Sequence, residues 1–485
     1  MDNKYEMVVG LEVHCQLATK TKLFCGCPTD SFGLVANTNV CPVCTGQPGV
    51  LPVLNKRAVE LAFTAALALD CKLAATSIFA RKNYFYPDLP KAYQISQYEL
   101  PFSSDGGLDI RLKDGLPKRV RIHRIHMEED AGKLVHELGS HELEYSLVDF
   151  NRGGTPLIEI VTEPDIRSAD EAYAYLTALK EVIIYAGVSQ CNMEKGEMRC
   201  DANVSVRKFG EPKFGTRAEI KNLNSFHNVK DALNHEFARQ IALIEEGGRV
   251  VQETRLWDAQ KQVTRSMRSK EEAHDYRYFP DPDLAPLKAD PQWLSELKSG
   301  LSELPAARRA RLTAQYKLSD YDADVLVSQK SLGDYFEAAA KGLAPDSAKA
   351  VVNLITTDLL GKLNAENLAP DRSKIPAQAL GRLVALVQAG TLSSKLAKEV
   401  FGQMWETGKA PDELVVEKGL TQVSDEGQIK KWVEEALASN PKAVEDLKQG
   451  KDRAIGAVVG AVMKLSKGKA NPALVNRLIK EQVQS

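Results

Sequence analysis

A chain of 485 residues is too long for one hydrophobic core, so two or three domains are expected, and 44% hydrophobic with 26% charged residues is ordinary for a soluble globular protein. Lys+Arg 63 against Asp+Glu 65 gives a formal net charge of −2, which neither announces nor excludes nucleic acid; a local basic surface would have to supply such affinity. No apolar run approaches the ~20 residues of a membrane span, and the charged residues 1–6 precede no signal-like apolar core, so no membrane role and a cytoplasmic location are expected.

The first predicted strand, residues 7–17, alternates apolar and polar side chains and puts Glu12, His14 and Gln16 on one side. Successive side chains leave opposite faces of a pleat, so period two is the strand signature. Four cysteines follow as Cys25-Gly26-Cys27 and Cys41-Pro42-Val43-Cys44-Thr45-Gly46. The second pair, with its Pro and trailing Gly, has the form of a zinc knuckle. A structural four-cysteine zinc site is expected, against the alternative of two reduced or redox-active pairs. Cys15, Cys71, Cys191 and Cys200 sit in apolar alternation and read as buried thiols.

A helix over 56–68 leads towards Arg81-Lys82-Asn83-Tyr84-Phe85-Tyr86-Pro87-Asp88. Three aromatics flanked by charge suit a stacking platform for a nucleobase or RNA end, and equally an aromatic loop anchor. Strands over 108–112 and 120–127 run into Met127-Glu128-Glu129-Asp130-Ala131-Gly132-Lys133. Three acids followed by Gly and Lys make a loop able to hold metal and phosphate, although an acid run taken alone reads as solvated surface.

Strands over 143–149 and 157–161, the latter with Glu159, precede a helix over 168–185. The strand over 198–206 shares Arg199, Asp201, Asn203 and Ser205 on one side, and that over 216–221 carries Glu219 and Lys221. A helix over 226–246 stops at Gly247-Gly248, and a second aromatic stretch runs from Asp275 through Tyr276, Tyr278 and Phe279 to Asp283. Strands joined by short turns, with helices between, give an α+β layer around a largely antiparallel sheet.

From Pro291 the strand patterns vanish. Helical periodicity covers 305–315, 331–342, 347–359 and 375–389, and composition shifts again near Gly408-Lys409-Ala410-Pro411. Short helices are predicted over 426–439, 443–449, 454–466 and 473–483, with Gly456 and Gly460 expected to permit close helix packing. Lys464, Lys467, Lys469, Arg477 and Lys480 supply a local basic surface.

Carboxylates and a histidine on one sheet face repel unless cations neutralise them. Hard oxygen ligands with one imidazole suit Mg2+ or Mn2+, ions that accompany phosphates, which points to metal-dependent ATP chemistry. No Walker pattern and no dinucleotide-type glycine fingerprint occurs, so metal ions and basic side chains must neutralise the phosphates. Arg81, Lys82, Lys91, Lys133, Arg199 and Lys221 are the candidates. Ser393-Ser394-Lys395 lacks the glycines that expose an amidase serine, and no cysteine sits in a nucleophile-like turn. If ammonia is used, another protein must release it.

Several segments in order resemble the GatB/GatE family, the B subunits of aspartyl/glutamyl-tRNA amidotransferases. They are Val9-Gly10-Leu11-Glu12-Val13-His14, Pro48-Gly49-Val50-Leu51-Pro52, residues 81–88, Ala92-Tyr93-Gln94-Ile95-Ser96, residues 127–133, Gly154-Thr155-Pro156-Leu157-Ile158-Glu159 and Arg199-Cys200-Asp201-Ala202-Asn203. The resemblance covers almost the whole chain. It implies a glutamine-synthetase-like cradle domain over 1–292 with the zinc site, an all-α helical domain over 293–407, and a small helical YqeY-like tail over 408–485 that contacts tRNA.

It also implies two-step chemistry. ATP phosphorylates the side-chain carboxylate of Glu on tRNA(Gln) or Asp on tRNA(Asn), and ammonia then displaces phosphate. A glutaminase subunit, GatA, supplies the ammonia through a tunnel, and a small subunit, GatC, ties the two together. Carried over by position, Glu12, His14 and Glu129 are the expected magnesium ligands. Glu128 and Asp201 join them as catalytic candidates, with Lys82, Tyr84, Lys91, Lys133, Arg199, Glu219 and Lys221 around substrate or phosphate. Cys25, Cys27, Cys41 and Cys44 correspond to the family's structural zinc site, which some members lack. Two other classes stay open on sequence: a non-catalytic RNA-binding scaffold, and a metal-dependent ATP ligase acting on a small carboxylate.

Overall fold

The computed structural model describes residues 4–112, 115–138, 141–267, 276–420, 423, 425–449, 452–466 and 469–484. Asp275 and Lys467, both singled out above, lie outside the described residues. Two compact units are present, Met1–Leu304 and Pro305–Ser485. The first extends past residue 292 because Trp293, Leu294, Leu297, Leu301 and Leu304 pack on its core, Trp293 lying 5.2 Å from the Phe63 ring.

A nine-stranded sheet dominates the first unit. Its strands are β1 (Tyr5–Gln16), β2 (Lys72–Leu73), β3 (Ser103–Arg111), β4 (Pro117–Glu129), β5 (Pro156–Thr162), β6 (Met198–Lys208), β7 (Ala218–Leu223), β8 (Glu253–Asp258) and β9 (Val263–Ser266), in the spatial order β9-β8-β7-β6-β1-β5-β4-β3-β2. Every pairing is antiparallel except β7 with β8. That parallel step needs a crossover, which the helix α3 (Phe226–Glu245) provides.

Alternation divides the sheet cleanly. Val9, Leu11, Val13 and Cys15 of β1 are fully buried in one apolar cluster with residues of α1 (Lys56–Ala68), α2 (Ala169–Tyr185) and α3. Each helix begins on a side-chain cap that satisfies otherwise unpaired N–H groups: Asn55, Ser168 and Ser225 accept from the first turn. Gly247, at φ 80°, lets α3 end by donating to Ile244. The helices cover one face. Glu12, His14 and Gln16 stand on the other.

All seven predicted strands are present, several of them longer than expected. Strands Lys133–Leu138, β8 and β9 were not foreseen. The two aromatic stretches form one small sheet, Phe279–Pro280 against Ala80–Asn83 against Tyr93–Ser96.

The described residues of the second unit form helices. Pro305–Tyr316, Lys330–Ala340 and Ala377–Gln388 match the periodicity, whereas Asp320–Val327, Ser394–Thr407 and Pro411–Glu417 escaped it. Ser393 caps the second of these by accepting from Leu396, so it serves the backbone. The last helices, Glu426–Ser439, Pro441–Lys448, Ile455–Leu465 and Pro472–Gln484, share their own apolar cluster built on Ile429, Val433, Val458, Val462, Val475 and Ile479. The expected close packing at Gly456 and Gly460 is not found. Both are exposed, and a Cβ there would meet no described atom within 4 Å, because Val458 and Val462 form the packed face.

Candidate functional site

Register builds the polar face. His14 of β1 lies opposite Arg199 of β6 on one side and Glu159 of β5 on the other, and Glu159 lies opposite His126 of β4. The result is a row across four strands, Arg199–His14–Glu159–His126. One carboxylate thus lies between two imidazoles: Glu159 Oε2 is 3.5 Å from His14 Nε2 and 3.2 Å from His126 Nε2. Glu128, two residues from His126 and on the same face, places Oε1 3.2 Å from the same Nε2. Ser96 Oγ donates to that oxygen at 2.7 Å, and Gln94 Nε2 donates to Oε2 at 3.0 Å.

Charge follows from this geometry. Burial opposes protonation of His126, yet the carboxylates of Glu159 and Glu128 outweigh it and push its pKa up to about 9. His14 is raised in the same way, against burial, by Glu159. Glu159 is held well below the usual carboxylate range, since the two imidazoles overcome its desolvation. Lys82 is raised despite burial, chiefly by Glu128. Its Nζ lies 4.9 Å from the Tyr276 ring centre and 5.9 Å from that of Tyr84.

One step along β1, a second group forms. Glu12 lies opposite Asp201, and Asn203 lies opposite Glu219. Asn203 Nδ2 donates to Glu12 Oε1 at 2.9 Å, Thr254 Oγ1 donates to Glu219 Oε2 at 3.0 Å, and Lys221 Nζ pairs with Asp201 and, at 3.3 Å, with Glu219. These carboxylates raise Lys221 against the effect of burial.

Two sets of ligand atoms therefore form, the members of each within 4.8 Å of one another: His14, Glu128 and Glu159 in one, and Glu12, Asp201 and Glu219 in the other. Both fit a hard divalent cation by donor type, the second with oxygen alone. The expected trio of Glu12, His14 and Glu129 is divided differently. Glu12 and His14 join separate sets. Glu129 follows Glu128 by one residue, points elsewhere, pairs with Lys91, and accepts from the Ile95 N–H at 2.9 Å. Arg81 is likewise engaged away from the polar face, donating to Asp281 and Asp283 at 2.8 Å each.

Beside the row opens a cleft of about 1040 Å³ whose lining includes Gln16, Lys133, Arg152, Arg199, Asp201 and Asn224. At its edge Asp130 is buried; Arg199 Nη2 and Gln16 Nε2 donate to it at 2.8 Å each, and Arg152 Nε lies 3.6 Å away. Those guanidiniums hold its carboxyl below the usual range although burial works against them. His126 and Arg152 carry no role that the sequence alone assigns, and Asp130 enters there only as the third acid of the metal-and-phosphate loop. Extending period two backwards from Glu128 would have found His126. No local pattern marks Arg152.

The cysteines converge as expected. Sγ atoms of Cys25, Cys27, Cys41 and Cys44 lie within 4.8 Å of one another, and none is in a disulfide. Cys41 N donates to Cys44 Sγ at 3.2 Å, and the two sulfurs are 3.8 Å apart. Tetrahedral Zn–S bonds of about 2.3 Å put sulfurs about 3.8 Å apart, so the cluster can hold a structural metal.

Residues 7–295 match the GatB/GatE catalytic domain, and residues 334–483 match the GatB domain. The chain is 54% identical over 480 residues to the B subunit of the aspartyl/glutamyl-tRNA(Asn/Gln) amidotransferase of Carboxydothermus hydrogenoformans, covering 99% of each chain. It is 54% identical over 481 residues to the protein of that name in Geotalea daltonii, covering 99% of this chain and 100% of the relative. The Brevibacillus brevis protein of that name is 52% identical over 484 residues, with 100% of both covered. With both domains matched in order and its whole length shared at this identity, the chain belongs to the GatB/GatE family.

Proposed function

We propose that this chain is the activating and amidating subunit of a tRNA-dependent amidotransferase. Its substrates are Glu on tRNA(Gln), Asp on tRNA(Asn) or both, together with ATP and ammonia from a partner glutaminase subunit, with a small third subunit in the complex. The observation that carries this reading is the polar sheet face, where two three-ligand acid groups stand beside a cleft rimmed by Arg152, Arg199 and Lys133.

A carboxylate resists ammonia because its leaving group would be oxide. In the first step a side-chain carboxylate oxygen bonds to the γ-phosphorus of ATP and ADP departs. In the second, ammonia attacks the acyl carbon, phosphate departs, and the new amide sheds a proton. His14, Glu128 and Glu159 would hold one Mg2+, and Glu12, Asp201 and Glu219 a second. Bound there, such ions offset charge on the transferring phosphoryl group. Lys82, Lys221 and Arg199 add fixed positive charge beside these sets, and a site closed to water protects the acyl phosphate from hydrolysis.

The cysteine site would carry Zn2+ and serve the fold. The unit ending at Leu304 would form the catalytic cradle, the helices from Pro305 to residue 407 a helical domain, and 408–485 a tRNA-contacting tail, all acting in the cytoplasm.

Reconstitution with the glutaminase and small subunits tests the reading directly. Glu12→Gln and His14→Ala should each lower ATP-dependent amidation of misacylated tRNA by at least about 100-fold while tRNA binding persists. Wild-type rates in both variants would remove the acid face from the chemistry.

A further inference from the structure

Lys22 is fully buried, an unusual place for a lysine, and its ammonium has three N–H donors and no acceptor. Three acceptors surround it: the Asn39 carbonyl at 2.9 Å, the Phe150 carbonyl at 3.5 Å and Cys44 Sγ at 3.7 Å. Two of these are neutral. Of the three, only the sulfur can carry the charge that a buried cation requires.

Four thiolates around one divalent ion sum to −2, an excess tolerated least at Cys44, the buried sulfur beside Lys22, since Cys25, Cys27 and Cys41 are part-exposed. We propose that Lys22 is the counter-cation of the four-cysteine metal centre, and that it ties this centre to the turn carrying the cleft residues. The inference rests on reading the cysteines as a metal site.

The second half of the proposal follows the backbone. Phe150 opens the turn 150–155, and Lys22's neighbour Leu23 donates its N–H to Gly154 O at 2.8 Å. Gly154 has φ +84°, and a Cβ there would stand 3.5 Å from both Lys22 Cδ and Cys44 Cβ. From Gly154 the path reaches the cleft: its N–H donates to Asp130 O, and Asp130 N–H donates to Thr155 O, each at 2.8 Å. Asp130 in turn holds Arg199 and Gln16. Through its single ammonium Lys22 thus touches both the metal ligand Cys44 and the backbone of the Arg152-bearing turn.

The test uses the full-length protein purified with zinc. In competition with a chromogenic chelator, Lys22→Met should retain zinc about 10- to 100-fold more weakly than wild type, the size expected for loss of a partner to a metal ligand. Chelating the wild-type protein should also raise amide exchange across 150–155. Equal zinc affinity in Lys22→Met and wild type overturns the proposal. Should Lys22→Met not fold, wild type carries the test through amine acetylation read by mass spectrometry. Lys22 should react slowly when zinc is bound and at least about tenfold faster after chelation, since its protection depends on the centre. Equal labelling rates overturn the proposal while leaving the zinc site standing. A wild-type chain that binds no zinc overturns the metal site and this inference together.

Discussion

Glu128 and Glu129 are neighbours with separate environments, because one step along a strand sends a side chain to the opposite face. Glu128 enters the imidazole row, and Glu129 turns to Lys91. Their substitutions should therefore fail differently. Glu128→Gln removes a charge from the acid group and should lower amidation by at least about 100-fold. Glu129→Gln leaves the largely buried Lys91 ammonium without its counter-ion and should cost about 3 kcal/mol of stability, read by urea denaturation. Equal stability of Glu129→Gln and wild type would show that the pair is not structurally important. This distinction was half legible in the sequence. Alternation placed Glu12, His14, Asp201 and Glu219 on polar strand faces, but three consecutive acids look like one cluster. Which acid faces which partner depends on register with β5 and on the strand Tyr93–Ser96, and neither is encoded locally.

At the scale of elements, α3 is fastened to the sheet through a buried carboxylate. Glu236 is fully buried; Arg239 Nη2 donates to it, as do Gln240 Nε2 at 3.0 Å and Thr264 Oγ1 at 2.8 Å, while Arg255 Nε lies 3.3 Å away. Although burial opposes it, Arg239, Gln240 and Thr264 lower its pKa from the ordinary value. A carboxyl with a lowered folded pKa stabilises the native state fully above its unfolded pKa of about 4.3, and that contribution is lost as pH falls through the folded value. Glu236→Gln should therefore be less stable than wild type near neutral pH, with the gap closing as pH falls below about 4. Thermal unfolding across that range checks it, and a gap that stays constant into acid would show the ionised form is not the source. The strands bounding this network, β8 and β9, were missed from sequence. Their charged residues Arg255 and Glu253 blur the alternation, because they are satisfied inside a buried ion network rather than by solvent. The long strands β1 and β6 were readable because one face is wholly apolar.

For the whole molecule, a net charge of −2 hides a division of labour. Much of the charge in the first unit is internally paired around the acid face. The C-terminal helices expose Lys464 and Lys480, whereas Arg477 is engaged with Glu426 at 2.9 Å. The composition shift near residue 408 is legible because helical periodicity restarts there, whereas the tail's separate apolar cluster begins at Ile429, and the helix Pro411–Glu417 is tied back to Arg382 through Asp412 at 2.7 Å. Nothing in the periodicity assigns the tail a partner, since solvated lysines on short helices look alike whatever they touch. Truncation after Gly419 removes the cluster. In the reconstituted enzyme it should raise KM for misacylated tRNA by at least about tenfold with kcat retained, and it should flatten the salt dependence of KM, because fewer phosphate contacts release fewer counterions. An unchanged KM and salt slope would assign the tail to stability alone and place tRNA affinity elsewhere. A fall in kcat at saturating tRNA would instead mean that the tail orients the acceptor end.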